Sequence, residues 1–281
     1  KFPAEGQSLI EQPVSLSAEI EVLHVDDFSN RKATYQYFIK QGGQRFIFYP
    51  IGGKLEVVSG STIRFSGYKL GNIFAAPLGS GTLDVLTAPP PDTIGDQKTL
   101  VVLVNFLDSQ TPPFTAMQAN QLVFQSQLQA FYKEASYSQL SWSGDTIGWY
   151  TLPRNGYDQY GTCLWPQFAP GYAIDEVYAA IKNDINILNY QRLVILADHQ
   201  CMGGGSAYVG KQTFTINGQQ HPLSVAWIGS LQYYSYSMGH PIQWTLFDFI
   251  LAHELGHSLG VAHANNWECG AWKSLYGQCA H

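Results

Sequence analysis

Three histidines near the C-terminal end of the sequence constrain this chain more than any other feature. Residues 253–263 read HELGHSLGVAH. In an α-helix, His253 and His257 project from the same face, one turn apart. Gly260 can adopt the left-handed conformation that ends a helix and turns the chain sharply, which returns His263 to that face. The pattern therefore predicts a buried helix, a tight turn and three imidazoles that meet at one point.

Three imidazoles that meet at one point indicate a metal site. Histidine nitrogens bind zinc at about 2.0–2.1 Å, and three protein ligands leave a fourth position open for water, as in catalytic zinc sites. Glu254 is placed to reach that water rather than the metal, where a carboxylate can act as general base. The alternative is a helix whose His253 and His257 bond within a polar seam. The added glycine and the third histidine, His263, favour the metal site.

The string resembles the signature of the metzincin clan of zinc proteases. A weaker similarity to the gametolysin-like branch rests on KTLVVLVNF at residues 98–106, on FYKEASYSQLSWSGDTIGWYTLP at residues 131–153, and on the cysteine-flanked stretch after the third histidine. The resemblance implies a zinc endopeptidase with the three histidines as ligands and Glu254 as general base. It also implies that an N-terminal β domain acts as a propeptide.

The chain departs from the metzincin pattern in one respect. Metzincins carry a methionine turn beneath the zinc, downstream of the third histidine, whereas Met117, Met202 and Met238 all lie upstream of it. The methionine-turn region is thus not among the residues of this sequence. We expect the protein to continue beyond His281 or to have been cut there. The other interpretation is a site that lacks this floor.

A run of prolines divides the chain into two parts. The segment APPPD at residues 88–92 cannot continue a strand or a helix. Before it, short apolar-alternating runs between Gly-Gly turns predict a small all-β barrel or sandwich over residues 1–88. Residues 89–97 are interpreted as a linker and residues 98–281 as the metalloprotease domain. The strands predicted in the first part are 17–25, 33–39, 45–49, 54–58 and 62–68.

The second part has a mixed α/β pattern. Continuous apolar runs predict buried strands at residues 99–106 and 192–197, and helical spacing predicts helices at 115–134, 173–188 and 243–259. Residues 140–150 read as a strand or hairpin, 216–219 as a hairpin turn and 224–228 as a further strand. With the resemblance, this pattern implies an α/β metzincin-like domain: a mixed twisted sheet, long helices and zinc on the active-site helix.

The resemblance also implies where a protein or peptide substrate binds. In metzincin-like folds the region after Gly203-Gly204-Gly205 leads into the edge strand that pairs with extended substrate, a form of strand addition. The residues predicted to line the substrate are Ser206, Ala207, Tyr208, Val209 and Gly210.

Composition and charge exclude several classes of protein. Hydrophobic residues make up 45% and charged residues 13% of the chain, as expected of a folded extracellular protein rather than a disordered one. The net charge of −6 argues against a nucleic-acid partner, because such partners usually need a basic face. No apolar run approaches the roughly 20 residues that span a bilayer.

Four cysteines, an even number, predict two disulfide bonds. We favour the pairs Cys163–Cys201 and Cys269–Cys279, since each closes a short or moderate loop; the two other pairings and four reduced thiols are the alternatives. A cysteine-based zinc site is disfavoured because no C-x-x-C pair occurs. We expect a secreted or extracellular protein, with the periplasm as the alternative compartment.

Residues 1–88 have three interpretations: an inhibitory propeptide, a carbohydrate- or matrix-binding module, or a structural spacer. The resemblance favours the propeptide, which would make the protein a zymogen inhibited within its own chain. Residues 1–162 contain no cysteine, so a metal ligand from the first part would have to be His24, Asp26 or Asp27.

The rival to a peptidase is a non-catalytic zinc protein whose β domain binds a partner or a glycan. Glu254 disfavours this rival, because zinc binding alone does not need a carboxylate at that position. Zinc-dependent hydrolysis of a non-peptide amide is a third interpretation. We expect one catalytic Zn²⁺ ion, while a structural Ca²⁺ ion stays open at this stage.

Overall fold

The computed structural model describes residues 11–27, 32–110, 112, 114–160, 170–197, 204–229 and 246–263, which form a sheet-rich α/β fold. The strands are β1 (Gln12–Asp27), β2 (Lys32–Gln41), β3 (Gln44–Ile51), β4 (Ser61–Leu70), β5 (Ile73–Pro77), β6 (Leu83–Thr87), β7 (Gly95–Asn105), β8 (Leu140–Thr151), β9 (Arg192–Ala197), β10 (Gly204–Tyr208), β11 (Gln212–Ile216) and β12 (Gln219–Ile228). The helices are α1 (Ala116–Phe124), α2 (Gln127–Ala135), α3 (Pro170–Ile181) and α4 (Leu246–Ser258). Among the described residues, no helix is long and apolar enough to cross a membrane.

The first five strands close into a barrel. β1 pairs with β2, β2 with β3, β3 with β5, β5 with β4, and β4 again with β1. Only the β3–β5 pair is parallel, and β6 extends the sheet from β4. Alternate side chains of β3 and β4 point inward, and Phe46, Phe48, Ile63 and Phe65 fill the interior. The first part of the chain therefore forms a barrel rather than a sandwich.

β1 is 16 residues long and joins the barrel to the rest of the protein. Residues 20–27 pair with β2 along one edge of β1. Along the opposite edge, residues 12–20 pair with β4 and residues 23–27 pair with β10. One 12-stranded sheet thus runs through both parts of the chain, in the order β6-β4-β5-β3-β2-β1-β10-β12-β9-β7-β8, with β11 paired to β12.

The second part places helices on both faces of its sheet. β12, β9, β7 and β8 are parallel to one another, and β10 runs antiparallel to β12. Helices α1, α2 and α4 pack on one face and α3 packs on the other. The apolar runs of β7 and β9 are buried from both sides, as continuous apolar strands predict.

The hairpin turns follow the sequence signals. Gly42 and Gly43 connect β2 to β3, and Asn217 and Gly218 connect β11 to β12, as predicted for residues 216–219. All four residues have φ between 51° and 78°. Two consecutive residues with positive φ are required by the two-residue turns that match the twist of paired strands.

Residues 54–58 are not a strand, so that prediction is wrong. Tyr37 on β2 explains the difference, because its hydroxyl accepts a hydrogen bond from Leu55 N at 3.1 Å and donates one to Leu55 O at 3.0 Å. Both polar backbone groups of Leu55 are thereby satisfied by one side chain, and no neighbouring strand is needed.

Three other predicted elements differ in detail. The helix predicted at 115–134 is two helices, because Ser126 accepts a hydrogen bond from Leu128 N and starts α2 anew. The helix predicted at 173–188 ends at Ile181. Residues 140–150, predicted as a strand or hairpin, belong to the continuous strand β8, and a Cβ on Gly144 would clash with Thr99 O on β7. This glycine permits a close approach of two strands.

Candidate metal centre

Helix α4 and the turn after it bring three histidines together. His253 and His257 lie on α4, which ends at Ser258. Gly260 has φ of 93°, and its N–H bonds to His257 O at 2.8 Å, while Val261 N bonds to Gly256 O at 3.0 Å. These bonds satisfy the last carbonyls of the helix and reverse the chain, as a left-handed cap does. His263 therefore returns to the face that carries the other two histidines.

The three imidazoles meet through their Nε2 atoms. His253 Nε2 lies 3.1 Å from His257 Nε2 and 2.9 Å from His263 Nε2. The ring of His257 is held from its other side, where Nδ1 lies 2.7 Å from Val261 O. A carbonyl oxygen only accepts, so Nδ1 carries the proton and Nε2 of the neutral ring presents a lone pair. The Nε2 lone pair of His257 therefore points into the cluster, where it is available to bind a metal ion.

Asp26 on β1 completes the cluster. Its Oδ2 lies 3.2 Å from His253 Nε2 and 3.5 Å from His257 Nε2, and its Oδ1 lies 3.3 Å from His263 Nε2. Together with His24, these residues place their ligand atoms within 4.8 Å of one another. A metal ion could be held here by imidazole nitrogens and a carboxylate.

His24 supports Asp26 from behind. Its Nδ1 donates to Asp26 Oδ2 at 2.6 Å, and the ring is fully buried. The ring centroid lies 4.0 Å from that of His263, 4.4 Å from that of His257 and 4.3 Å from that of Tyr35. His24 thus fixes the orientation of the carboxylate, as the partners of metal ligands commonly do.

The electrostatics of the cluster suit a bound cation. Burial opposes ionisation of Asp26, but the hydrogen bond from His24 and the close imidazoles of His253 and His257 outweigh it and hold the pKa of Asp26 well below its usual range. Burial, with the neighbouring histidines, lowers the pKa of His263 to about 4, and burial also lowers the pKa of His24. The site therefore combines the ionised carboxylate of Asp26 with imidazoles at His24 and His263 whose neutral form is favoured, and these are the protonation states that metals bind.

Glu254 is buried beside the cluster with no structural role for its carboxylate. Both carboxylate oxygens are buried and have no hydrogen-bond partner among the described residues. Burial, and secondarily the charge of Asp26, raises the pKa of Glu254 well above its usual value. An unpartnered buried carboxyl group costs free energy, and such groups mark functional positions.

Gly205 on β10 makes room for Glu254. A Cβ atom built on Gly205 would lie 2.5 Å from Glu254 Oε1 and 2.6 Å from its Cγ. A side chain at this position would therefore push Glu254 out of place. Sequence reasoning missed Gly205 as a site residue; the available signal was a glycine at the start of the strand that was predicted to bind substrate.

The predicted substrate-lining residues lie along β10 and just after it. Ser206, Ala207, Tyr208 and Val209 are buried. β1 covers this edge, with Val25 opposite Ser206, His24 opposite Ala207 and Leu23 opposite Tyr208. Gly210 N donates to His257 O at 2.8 Å, which ties the end of this segment to helix α4.

Arg192 at the start of β9 anchors the C-terminal end of α4. Its guanidinium donates to Ser258 O at 2.6 Å, Gln97 Oε1 at 2.7 Å, Asp92 O at 2.7 Å and Ser224 Oγ at 3.0 Å. Burial lowers the pKa of Arg192 to about 10, so the group stays cationic and opposes the partial negative charge at the helix end. The sequence carried no spacing signal for this residue.

Arg192→Met is expected to lower the free energy of unfolding by about 3 kcal/mol, because it leaves several buried acceptors unpaired. Urea denaturation measures the change. The matched control is Arg64→Met, which removes only an exposed ion pair with Asp84 and should cost less than about 1 kcal/mol. Equal losses from the two variants would contradict an anchoring role for Arg192.

Several predicted features lie outside the described residues. These are the four cysteines and both proposed disulfides, the side chain of Asp27, Gly203, and two of the methionines (Met202 and Met238). The disulfide bonds and secretion stay predictions from the sequence. No protein-family model and no curated protein matches the chain.

Proposed function

We propose that this chain is a zinc-dependent endopeptidase. His253, His257 and His263 bind one zinc ion, and Glu254 is the general base. The observation that carries the proposal is the convergence of three Nε2 atoms on one point beside a buried carboxylate that has no partner among the described residues. A structural metal site explains why the three imidazoles converge, but it gives no role to the buried carboxylate of Glu254.

The donor set fits zinc better than other common ions. Imidazole nitrogens suit zinc, whereas calcium and magnesium take oxygen ligands. The Nδ1 bond from His257 to Val261 O fixes the tautomer that presents Nε2 to the metal. Zinc held in this way supplies Lewis acidity and lowers the pKa of a bound water to about 7.

Glu254 moves the proton. As water attacks the peptide carbonyl, the carboxylate of Glu254 accepts a proton from it and then delivers this proton to the leaving amine. Glu254 immediately follows His253 on α4 and packs against Gly205 of β10, so it lies between the metal-binding helix and the strand on which a peptide would lie.

β10 is the strand on which we expect an extended peptide to bind. Its inner edge pairs with β12, and its outer edge is occupied in this structure by β1. A strand that adds to an exposed edge gains main-chain hydrogen bonds along its length. Ser206 to Gly210 would then line the peptide, and the substrate class is an extended segment of a protein or peptide.

One observation favours a different class of function. Asp26 brings the number of protein donors to four, and four protein ligands are typical of structural zinc sites rather than catalytic ones. In that alternative the fold is a non-catalytic zinc scaffold whose barrel binds a partner or a glycan. Glu254 separates the two, since a structural site gives its buried carboxylate no role.

A zinc-titration and cleavage experiment tests the proposal. Both the zinc-loaded full chain and its Asp26→Ala variant are incubated with a quenched peptide library, and the products are identified by mass spectrometry. We expect both proteins to bind one zinc ion per chain. We expect Asp26→Ala, which lacks the fourth protein donor, to cleave peptides of the library and so generate new amino termini. One zinc per chain with no cleavage by either protein would favour the scaffold, and no zinc binding would contradict both functions.

Gly205→Ala is expected to lower cleavage by about 100-fold, because the added methyl group displaces Glu254 and a shift of about 1 Å in a catalytic group has an effect of this size. Zinc affinity should not change. The matched control is Gly256→Ala on α4, where the added Cβ meets only Tyr132 Oη at an ordinary contact distance of 3.7 Å. The rates are compared in the Asp26→Ala background; equal rates for the two glycine variants would contradict the proposed position of Glu254.

A further inference from the structure

We propose that β1 keeps the metal centre closed: Asp26 is the fourth protein ligand of the metal, and residues 23–27 occupy the edge of β10 on which a peptide substrate would lie. This inference rests on the proposed function, because it names the regulation of the same site. It makes the full chain a latent form that is inhibited by its own barrel.

The first support is the position of the Asp26 carboxylate. Its two oxygens lie between 3.2 and 3.5 Å from the Nε2 atoms of all three histidines, although His253 is 227 residues away in the chain. The carboxylate is buried and is thereby shielded from solvent. A carboxylate oxygen in the fourth position of a tetrahedral zinc site leaves no room for the water that hydrolysis requires.

The second support is the register of β1 on β10. The strands pair antiparallel from Leu23 opposite Tyr208 to Asp27 opposite Gly204, so main-chain groups of β10 that would bind a peptide are already paired. Asp26 lies opposite Gly205, the residue against which Glu254 packs. β1 thus occupies the edge of β10 on which a peptide would lie. The same register of β1 on β10 places the Asp26 carboxylate at the three histidines.

The third support is the positioning of Asp26 by His24. The bond from His24 Nδ1 to Asp26 Oδ2 is 2.6 Å long, and the ring packs between Tyr35 of the barrel and the imidazoles of His257 and His263. His24 acts through Asp26 and is a positioning residue. A buried imidazole serving only the barrel core would not need to face the metal-binding face of α4.

The barrel holds β1 in this place through bonds on both sides of it. Ser59 Oγ accepts a hydrogen bond from Val22 N at 2.9 Å and donates one to Val22 O at 3.1 Å. Ser59 N donates to Val209 O at 2.7 Å, and Val209 N donates to Val22 O at 2.9 Å. Glu21 on the same strand pairs with Lys40 and Arg45 of the barrel. Opening the site therefore requires displacement of the barrel, and a cut in the chain between β6 and β7 would allow it.

Cobalt substitution tests the inference with a readout that does not depend on activity. Co²⁺ is bound to the full chain, to Asp26→Ala and to Asp84→Ala, and the visible absorption spectrum of each is recorded beside its peptide cleavage. Asp84 is a matched control, because it lies on β6, next to the barrel, in an exposed ion pair with Arg64. Far-UV circular dichroism and thermal unfolding confirm that each variant is folded.

We expect the spectrum of Asp26→Ala to differ from that of the full chain, because water replaces a carboxylate ligand, and its cleavage rate to rise at least about tenfold. Asp84→Ala should match the full chain in both measurements. His24→Asn, whose amide can replace the Nδ1–H donor, should retain the spectrum more closely than His24→Ala does. An unchanged spectrum in cobalt-loaded Asp26→Ala would overturn the inference.

The remaining outcomes separate this inference from the proposed function. Cleavage by the full chain and by Asp26→Ala at the same rate, with the same spectrum, would support the peptidase and overturn the closure by β1. A changed spectrum with no cleavage by any variant would support Asp26 as a ligand and contradict the peptidase.

Discussion

Replacing Glu254 with glutamine is expected to lower peptide cleavage by about 10³-fold while zinc affinity stays unchanged. The amide has the shape of the carboxylate but cannot accept the proton that leaves the attacking water. His253, His257 and His263 are untouched, so the metal site keeps its three nitrogens. The measurement compares the initial rate of peptide hydrolysis in the Asp26→Ala background, with and without the glutamine, at saturating zinc.

The folded structure should tolerate this change. Both oxygens of Glu254 are buried and unpartnered among the described residues, so a neutral amide loses no hydrogen bond seen there and avoids the cost of a buried charge. The thermal midpoint of Glu254→Gln is therefore expected to equal or exceed that of its parent. Glu134→Gln, at an exposed position of α2, is the matched control and should not alter the rate. Cleavage by Glu254→Gln at the rate of its parent would exclude Glu254 as the general base.

Replacing His257 with alanine is expected to weaken zinc binding by at least about 100-fold, because loss of a direct ligand exceeds the 10- to 100-fold cost of losing a partner behind a ligand. The ring is almost fully buried, and both of its nitrogens are committed, Nδ1 to Val261 O and Nε2 to the cluster. Competition against a chromogenic chelator measures the affinity.

Thermal unfolding gives a second readout of the same variant. A metal that binds only the native state stabilises it, by about 2.7 kcal/mol at a concentration 100 times the dissociation constant. Zinc should therefore raise the thermal midpoint of the full chain and leave that of His257→Ala nearly unchanged. The control His221→Ala removes an imidazole whose Nε2 bonds to Tyr190 O at 2.8 Å and should keep the full response to zinc. A normal zinc response from His257→Ala would exclude it as a ligand.

The convergence of the three histidines could be predicted because it depends on local geometry. A spacing of four residues on a helix fixes the relative position of His253 and His257, and Gly260 permits the turn that returns His263. The same is true of the two-residue hairpin turns and of the buried strand β9, whose predicted bounds, residues 192–197, are those observed. Each of these features is decided by a few neighbouring residues.

Asp26 could be named only as one of three candidates. Its approach to the histidines depends on the register of β1 against β10, and these strands are separated by almost 180 residues of chain. Spacing in the sequence carries no information on such a pairing. The structure brings Asp26 to the three histidines and places His24 behind it as the donor to its carboxylate.

The other differences have the same origin. Gly205 and Arg192 are site residues only because distant segments pack against them: Glu254 against the first, and Ser258, Gln97 and Asp92 against the second. The proline segment predicted a separation into two parts, whereas β1 unites both parts in one sheet. A local run of prolines indicates a boundary in the chain, but the long-range pairing of β1 with β10 decides whether the two parts share a sheet.

Zinc K-edge X-ray absorption of the zinc-loaded full chain identifies the atoms around the metal and thus examines the three-histidine site itself. We expect a four-coordinate ion with nitrogen and oxygen neighbours at about 2.0–2.1 Å, and with the outer-shell scattering of three imidazoles, which His257→Ala should reduce. A sulfur shell at about 2.3 Å, or the scattering of fewer than three imidazoles in the full chain, would contradict the three-histidine site on which the proposed peptidase depends.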